Sequence, residues 1–347
     1  MSAGVPLIAK PTGEKLSQSE LNDRSNFKGK TVLISGCTNG LGAACVDEMC
    51  GMAVESRPLK IILVARNKDL LAERAGLCTA AGITTSVYSA ELTDVAQIFR
   101  VAKEVKDAEA KLDIICLNAG MWQTHAERRV QADNMEVHYV ANFLQMAIFA
   151  TEWVSMVPPG GRIGVMGSFT GMSIAEGILD FDHLGTKDGE HKKMLNGAIC
   201  YSQSKLAQHM WVKHAANSLA LANGASINVC CPGSVMTKID TWQAFKSCVG
   251  CCYPLCKTCI GIREPAEGCG SMMFILGSKA MDGHNGEFAD FGMDSQVNIP
   301  NKPVPLEYYP GQKNAVAPST ADAKQCERLY TETAARIAEL RTKHNAI

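Results

Sequence analysis

The segment Gly36-Cys37-Thr38-Asn39-Gly40-Leu41-Gly42 constrains the fold of this chain more than any other. It follows an apolar run, Thr31-Val32-Leu33-Ile34-Ser35, and precedes Ala43-Ala44-Cys45-Val46, so its glycines stand where a strand turns into a helix. Glycines there permit a tight turn and leave the N–H groups of the helix N-terminus open to an anion. The rest of the chain continues the alternation. Strand-like runs at 31–35, 60–65, 84–88, 113–117, 162–167, 226–231 and 287–289 are separated by helical patterns at 41–52, 68–81, 94–108, 135–156, 201–222, 265–276 and 321–340. That pattern predicts an α/β domain, a parallel sheet covered by helices on both faces.

A second segment, Tyr201-Ser202-Gln203-Ser204-Lys205, places a phenol and an ammonium one helical turn apart, where both can face one reacting centre. A cation beside a phenol favours the phenolate and is expected to pull a tyrosine pKa down from ~10, as a general acid and base requires.

The charge balance, 34 Lys and Arg against 35 Asp and Glu, gives no reason to expect nucleic acid as a partner. No apolar run approaches the ~20 residues of a membrane span, so a cytoplasmic protein is expected, with peripheral membrane contact left open. The 15 cysteines are odd in number and scattered through strands and helices, which fits reduced thiols better than a disulfide framework. The ends, 1–30 and 301–319, are rich in Pro, Gly and polar residues and are expected to lie on the surface.

Further motifs follow in a fixed order: Leu63-Val64-Ala65-Arg66-Asn67, Glu91-Leu92-Thr93-Asp94, Leu117-Asn118-Ala119-Gly120, Asn142, Ser168, and Cys231-Pro232-Gly233-Ser234-Val235-Met236-Thr237. With the glycine turn and the Tyr201/Lys205 pair, they make residues 30–290 resemble the short-chain dehydrogenases/reductases. The resemblance implies a single doubly wound Rossmann-type domain with a parallel seven-stranded sheet at 30–300. A tail at 1–29 would precede it, and an extension with a closing helix at 301–347 would follow. It also implies a catalytic tetrad of Asn142, Ser168, Tyr201 and Lys205, and NADP(H) held by Gly36, Thr38, Asn39, Gly40, Leu41, Gly42, Arg66, Asn67, Glu91, Leu92, Asn118, Ala119, Gly120, Tyr201, Lys205, Pro232, Gly233, Val235 and Thr237.

Within that resemblance, Tyr201 would exchange a proton with the substrate oxygen and Ser168 would orient it. Lys205 would stabilise the phenolate and hold the nicotinamide ribose, and Asn142 would hold a water leading from the lysine to solvent. Cofactor choice follows from chemistry as well. Where NAD enzymes carry a carboxylate for the ribose 2′-hydroxyl, this chain has Ala65 followed by Arg66, whose guanidinium suits a 2′-phosphate. Three positions depart from the family pattern: Ser35 for threonine, Glu91 for the aspartate at the adenine, and Leu117 for the first of two asparagines.

The branch is indicated by the 33-residue spacing from Ser168 to Tyr201 (201 − 168), with Phe181-Asp182-His183-Leu184 and a charged run at 187–193 inside it. A long connection resembles retinol dehydrogenases, light-dependent protochlorophyllide reductases and monomeric carbonyl reductases. The segment Ala323-Lys324-Gln325-Cys326-Glu327-Arg328-Leu329-Tyr330 is similar to the closing helix of the first. The implied reaction is hydride transfer between nicotinamide and a carbonyl or alcohol of a lipophilic small molecule, retinoid-, isoprenoid- or steroid-like, in a monomer or homodimer. Reduction of a conjugated C=C bond is one alternative, and a catalytically lapsed NADP-binding regulatory or scaffolding protein is another.

A substrate lid is expected at about 238–263, where Cys248, Cys251, Cys252, Cys256 and Cys259 stand among Trp242, Phe245, Tyr253, Leu255 and Ile260. These cysteines read as small hydrophobes of an apolar lid, as acylated or membrane-inserted thiols, or as metal ligands from their CxxC spacing. The first reading, with no metal, is adopted. Trp122 and Phe169 are candidates for the substrate pocket wall, whereas His183 and His209 show no partner pattern.

Overall fold

The computed structural model describes residues 18–123, 133, 135–173, 178–185, 197–235, 237, 263–290 and 322–345. The cysteine-rich segment, the charged run at 187–193 and the 301–321 stretch lie outside them. Seven strands, β1 (Thr31–Ser35), β2 (Lys60–Ala65), β3 (Thr84–Ser89), β4 (Ile114–Leu117), β5 (Arg162–Met166), β6 (Ser226–Cys231) and β7 (Phe288–Asp290), form one sheet in the order β3-β2-β1-β4-β5-β6-β7. Every pairing is parallel.

The near-continuous apolarity of these strands has a simple cause. Successive side chains point to opposite faces, and both faces are covered. In β1, Leu33 enters one core while Val32 and Ile34 enter the other; in β2, Ile62 and Val64 oppose Ile61 and Leu63. The Val32/Ile34 face is covered by α1 (Gly40–Gly51), α2 (Lys68–Ala80) and, after a short turn at Pro265–Gly268, α6 (Gly270–Gly277). The opposite face carries α3 (Val95–Ala108), α4 (Gln145–Trp153), α5 (Gly197–Ser218) and α7 (Ala323–Lys343). Asn67, Asp94 and Asp322 start α2, α3 and α7 with side-chain carbonyl or carboxylate oxygens that accept from the first-turn N–H groups.

The chain before β1 reaches the core. Phe27 is fully buried, Arg24 pairs with Glu48 at 2.6 Å, and Asn26 donates to the Leu276 carbonyl at 2.8 Å. At the other end, α7 docks along α5. Cys326, Leu329, Ile337 and Leu340 are buried, Tyr330 lies against Trp211, and the C-terminal turn ends with Lys343 and His344 on Asp133.

Two expected helices are interrupted. Residues 135–156 contain a π-helical stretch, Tyr139–Leu144, before α4 begins, and 265–276 breaks at Cys269 between two glycines. Among the described residues, no helix is long and apolar enough to cross a membrane.

Candidate active site

In an open parallel sheet, a crevice forms where the strand order reverses, outside the carboxyl ends of the strands. Here that point lies between β1 and β4. The turn after β1 is packed against the turn after β4 without spare volume: a Cβ on Gly36 would stand 2.8 Å from Ala119 Cα, and one on Gly42 would stand 2.2 Å from the Gly36 carbonyl oxygen. Gly36 also has φ of +69°. Asn118 Nδ2 donates to the carbonyls of Ser35 (3.2 Å) and Gly36 (3.1 Å), while the Ser35 hydroxyl accepts from Ala119 N at 3.1 Å. The serine thus does locally what a hydroxyl at that position was expected to do.

Asn39 opens α1 without capping it. Its side chain turns to Thr38 Oγ1 at 3.4 Å, which leaves the helix N-terminus open. The Thr237 methyl lies 3.3 Å from where a Gly40 Cβ would be, so the chain after β6 returns to the glycine turn. Leu41 and Val235 pack together over Gly268. Gly233, with φ of +75°, and buried Pro232 carry the backbone out of β6. Val235 pairs with Arg263 in an isolated parallel bridge, and Arg263 N donates to Ser234 O at 2.8 Å, so the two sides of the 238–262 segment meet just past the end of β6.

At the end of β2, the Arg66 side chain is largely exposed and touches the Glu91 carboxylate at 3.4 Å. Asn67 Oδ1 is occupied in accepting from Leu70 N at 2.9 Å. Leu92 is buried in the core, so its side chain does not line the crevice.

The tetrad residues converge behind this cradle. Tyr201 and Lys205 lie on one face of α5, both buried. Ser168, just past β5, accepts from Thr170 N (3.3 Å) and Thr170 Oγ1 (3.1 Å), which leaves its own hydroxyl proton for another acceptor on the Tyr201 side of the site. The Tyr201 ring is held on two sides: Trp122 stacks on it, and His138 meets it edge-on with centroids 6.3 Å apart. His138 is itself fixed, with Nδ1 on Glu136 at 2.7 Å and Nε2 accepting from Gln123 N at 3.0 Å.

The electrostatics correct one expectation. Burial pushes the Tyr201 phenol up to about 12, against the opposing Ser168 hydrogen bond, instead of letting a neighbouring cation draw it down. Burial likewise lowers Lys205 to about 8. The lysine does not point at the phenol oxygen. Its Nζ is 5.7 Å from the ring centroid and donates to the Met166 carbonyl at 2.7 Å.

Asn142 also differs from expectation in what occupies it. Its side chain accepts from Met121 N (2.7 Å) and donates to Met121 O (3.1 Å) and Ser204 Oγ (2.9 Å). Its backbone carbonyl, freed from regular helix geometry by the π stretch, accepts from Gln208 Nε2 at 2.7 Å. One lone pair of that carbonyl is therefore taken by a side chain. Gln208, Ser204, Thr170 and the Glu136–His138 pair were not singled out in the sequence. For Ser204 and Gln208 the signal was the density of polar residues between Ser202 and His209, all of which are buried.

Comparison with known proteins adds relatives to this geometry. A family model described as short chain dehydrogenase matches residues 30–178. The chain is 25% identical over 283 residues to human retinol dehydrogenase 14, covering 77% of this chain and 79% of that one. The mouse protein of the same name is 23% identical over 278 residues, with the same coverage. Among solved structures, a short chain dehydrogenase from Burkholderia cenocepacia J2315 in complex with NADP superposes with a TM-score of 0.60 at 18% identity, over 78% of this chain and 100% of that one.

Proposed function

We propose that this chain, which is similar to the short-chain dehydrogenases/reductases over residues 30–178 and beyond, is a member of that family and an NADP(H)-dependent oxidoreductase interconverting a carbonyl and an alcohol of a lipophilic small molecule. The observation that carries this reading is the burial together of Ser168, Tyr201 and Lys205, the last two on one helix face, beside a backbone-lined phosphate cradle.

The residues fit the cofactor. Gly36 and Gly42 leave no room for a side chain, the α1 N-terminus is uncapped, and Arg66 is free to leave a surface ion pair for a 2′-phosphate. The Burkholderia neighbour is described with NADP bound, which agrees with the choice made from Arg66. Bound NADP(H) would supply or accept the hydride.

The protein's own part is proton handling. As the carbonyl is reduced, charge develops on its oxygen; Ser168 donates a hydrogen bond to it and Tyr201 delivers the proton. A phenol raised by burial keeps that proton at working pH until the developing charge takes it. In the opposite direction Tyr201 acts as the base. Lys205, charged below about pH 8, supplies the positive potential behind the pair. Gln123 and His138 anchor the segment that lays Trp122 on Tyr201, so the pocket wall beside the reacting oxygen is aromatic. With half-buried Phe169 packed on the same core, this wall suits an apolar substrate, as does the likeness to retinol dehydrogenases. The protein would act as a monomer or homodimer, in the cytoplasm or at a membrane surface.

The test is NADPH consumption by purified protein against retinoid, steroid, aliphatic and quinone carbonyls, with Tyr201→Phe as control. Turnover by the wild type alone supports the reading, and the preferred carbonyl names the class. NADPH binding without turnover of any carbonyl overturns it in favour of a C=C reductase or a nucleotide-binding regulator.

A further inference from the structure

At the ends of α1 and α2 remote from the glycine turn, two thiols face each other. The sulfurs of Cys50, in the last turn of α1, and Cys78, in the last turn of α2, are 3.7 Å apart. The helix ends are held in this register by Arg57, whose guanidinium donates to the carbonyl of Met52 at 2.7 Å and to that of Ala81 at 2.5 Å. A second clamp, the Arg74–Asp47 ion pair, joins the same helices one turn earlier. Closing to a disulfide length of ~2.05 Å therefore asks only that two side chains share a movement of about 1.7 Å on an anchored seam.

The two thiols are unlike. Cys50 is half-buried, whereas every other described cysteine, Cys78 included, is buried. The Cys50 thiol lies below the ordinary range, first because Cys78 hydrogen-bonds its sulfur, with Arg57 and Arg74 adding positive potential against desolvation and Asp47. Cys78 is raised by the same contact and by burial. This is the polarity of an attacking and a resolving cysteine. The other thiol cluster, Cys45 with Cys116 and Cys269, lacks it: all three are buried, Cys45 is pushed far up first by its contact with Cys116 and then by burial, against Cys269, and Cys269 is pushed far up by its contact with Cys45 and by burial.

We propose that Cys50 and Cys78 form a modification site that takes hydrogen peroxide or a small organic hydroperoxide and closes to a disulfide between α1 and α2. The Cys50 thiolate attacks one peroxide oxygen, the O–O bond breaks, and the departing hydroxide takes a proton to become water (an alkoxide becomes an alcohol), leaving a sulfenic acid. Cys78 then attacks Cys50 Sγ, the S–O bond breaks, and hydroxide leaves as water with the Cys78 proton. With hydrogen peroxide, two thiols lose two electrons in all and one peroxide becomes two waters. Exchange with a small thiol reverses the bond.

The experiment treats the reduced full-length protein with stoichiometric hydrogen peroxide, alkylates it, and maps linkages by non-reducing digestion and mass spectrometry. A Cys50–Cys78 link, lighter by two hydrogens and lost on adding dithiothreitol, is expected. In Cys78→Ser, Cys50 accumulates as a sulfenic acid that dimedone traps; in Cys50→Ser, Cys78 remains alkylatable. The proposal is overturned if Cys50 stays alkylatable at a dose that oxidises other cysteines, or if Cys78 links to another partner. The wild-type map decides alone should circular dichroism show either variant unfolded.

Discussion

The Trp122 indole lies nearly flat on the Tyr201 ring, with 15° between the planes and 5.1 Å between centroids. A stack of this kind contributes about 0.5–1.5 kcal/mol beyond buried area, and here it also walls one side of the proposed proton donor. Trp122→Ala is expected to raise KM for planar or bulky carbonyls roughly two- to tenfold while NADPH affinity holds. Steady-state kinetics on one small and one large carbonyl, beside a cofactor titration, check this. An unchanged size preference would remove Trp122 from the pocket wall.

Tyr201→Phe should lower kcat by roughly 10²–10⁴-fold, the range of a positioned acid or base, with cofactor binding retained. Since burial holds the phenol up at about 12 in the free protein, the tyrosine is protonated across the neutral range. Carbonyl reduction should accordingly be flat through neutral pH, and alcohol oxidation should climb as the medium becomes alkaline. A pH–rate profile in both directions reads this; an oxidative rate falling with rising pH would contradict the assignment.

Arg66 and Glu91 form an exposed pair at 3.4 Å, an interaction of roughly 0–1 kcal/mol that a phosphate can displace. Charge-assisted contacts to a phosphate are stronger, about 1.5–3 kcal/mol. Arg66→Ala should weaken NADPH roughly tenfold or more and leave NADH within about twofold, by calorimetric or fluorescence titration. Glu91→Gln, which frees the guanidinium, should tighten NADPH. Equal losses for both cofactors in Arg66→Ala would show that Arg66 does not read the phosphate.

His209 is buried one turn beyond Lys205 with neither ring nitrogen hydrogen-bonded, and burial, aided by the Lys205 charge, lowers it from 6.5 to about 3. Between those values the unfolded chain binds a proton that the folded protein refuses, so stability present above pH 6.5 drains away as pH falls toward 3. His209→Leu removes that linkage and fills the site with carbon. Its melting temperature at pH 5 should fall less, relative to pH 7, than that of the wild type; parallel pH curves for the two proteins would refute the linkage.

Much of the framework could be read from residue order because the physics involved is local. Strands 31–35 and 226–231 emerge where apolar runs end at glycine or proline, and the glycine turn itself dictates the β1–α1 junction. The tetrad positions converge as the motif order implied. What escaped the sequence depends on contacts between distant segments. The π stretch at Tyr139–Leu144 inserts a residue that no helical periodicity marks, and only the fold reveals that the Asn142 carbonyl it frees meets Gln208. Helix α5 already runs at Gly197, a turn before Tyr201. The raised Tyr201 pKa escaped for the same reason. A neighbouring lysine is visible in sequence, but the completeness of burial, which outweighs it, is not.

The Val235–Arg263 bridge brings both ends of an intervening stretch to one place just past the end of β6. Once the ends of a loop are fixed together, doubling the chain between them costs only about 0.6 kcal/mol of closure entropy. The scaffold is therefore built to accept exchange there: sequences of very different length can be spliced between these two residues, and the catalytic residues, anchored on β5 and α5, keep their positions.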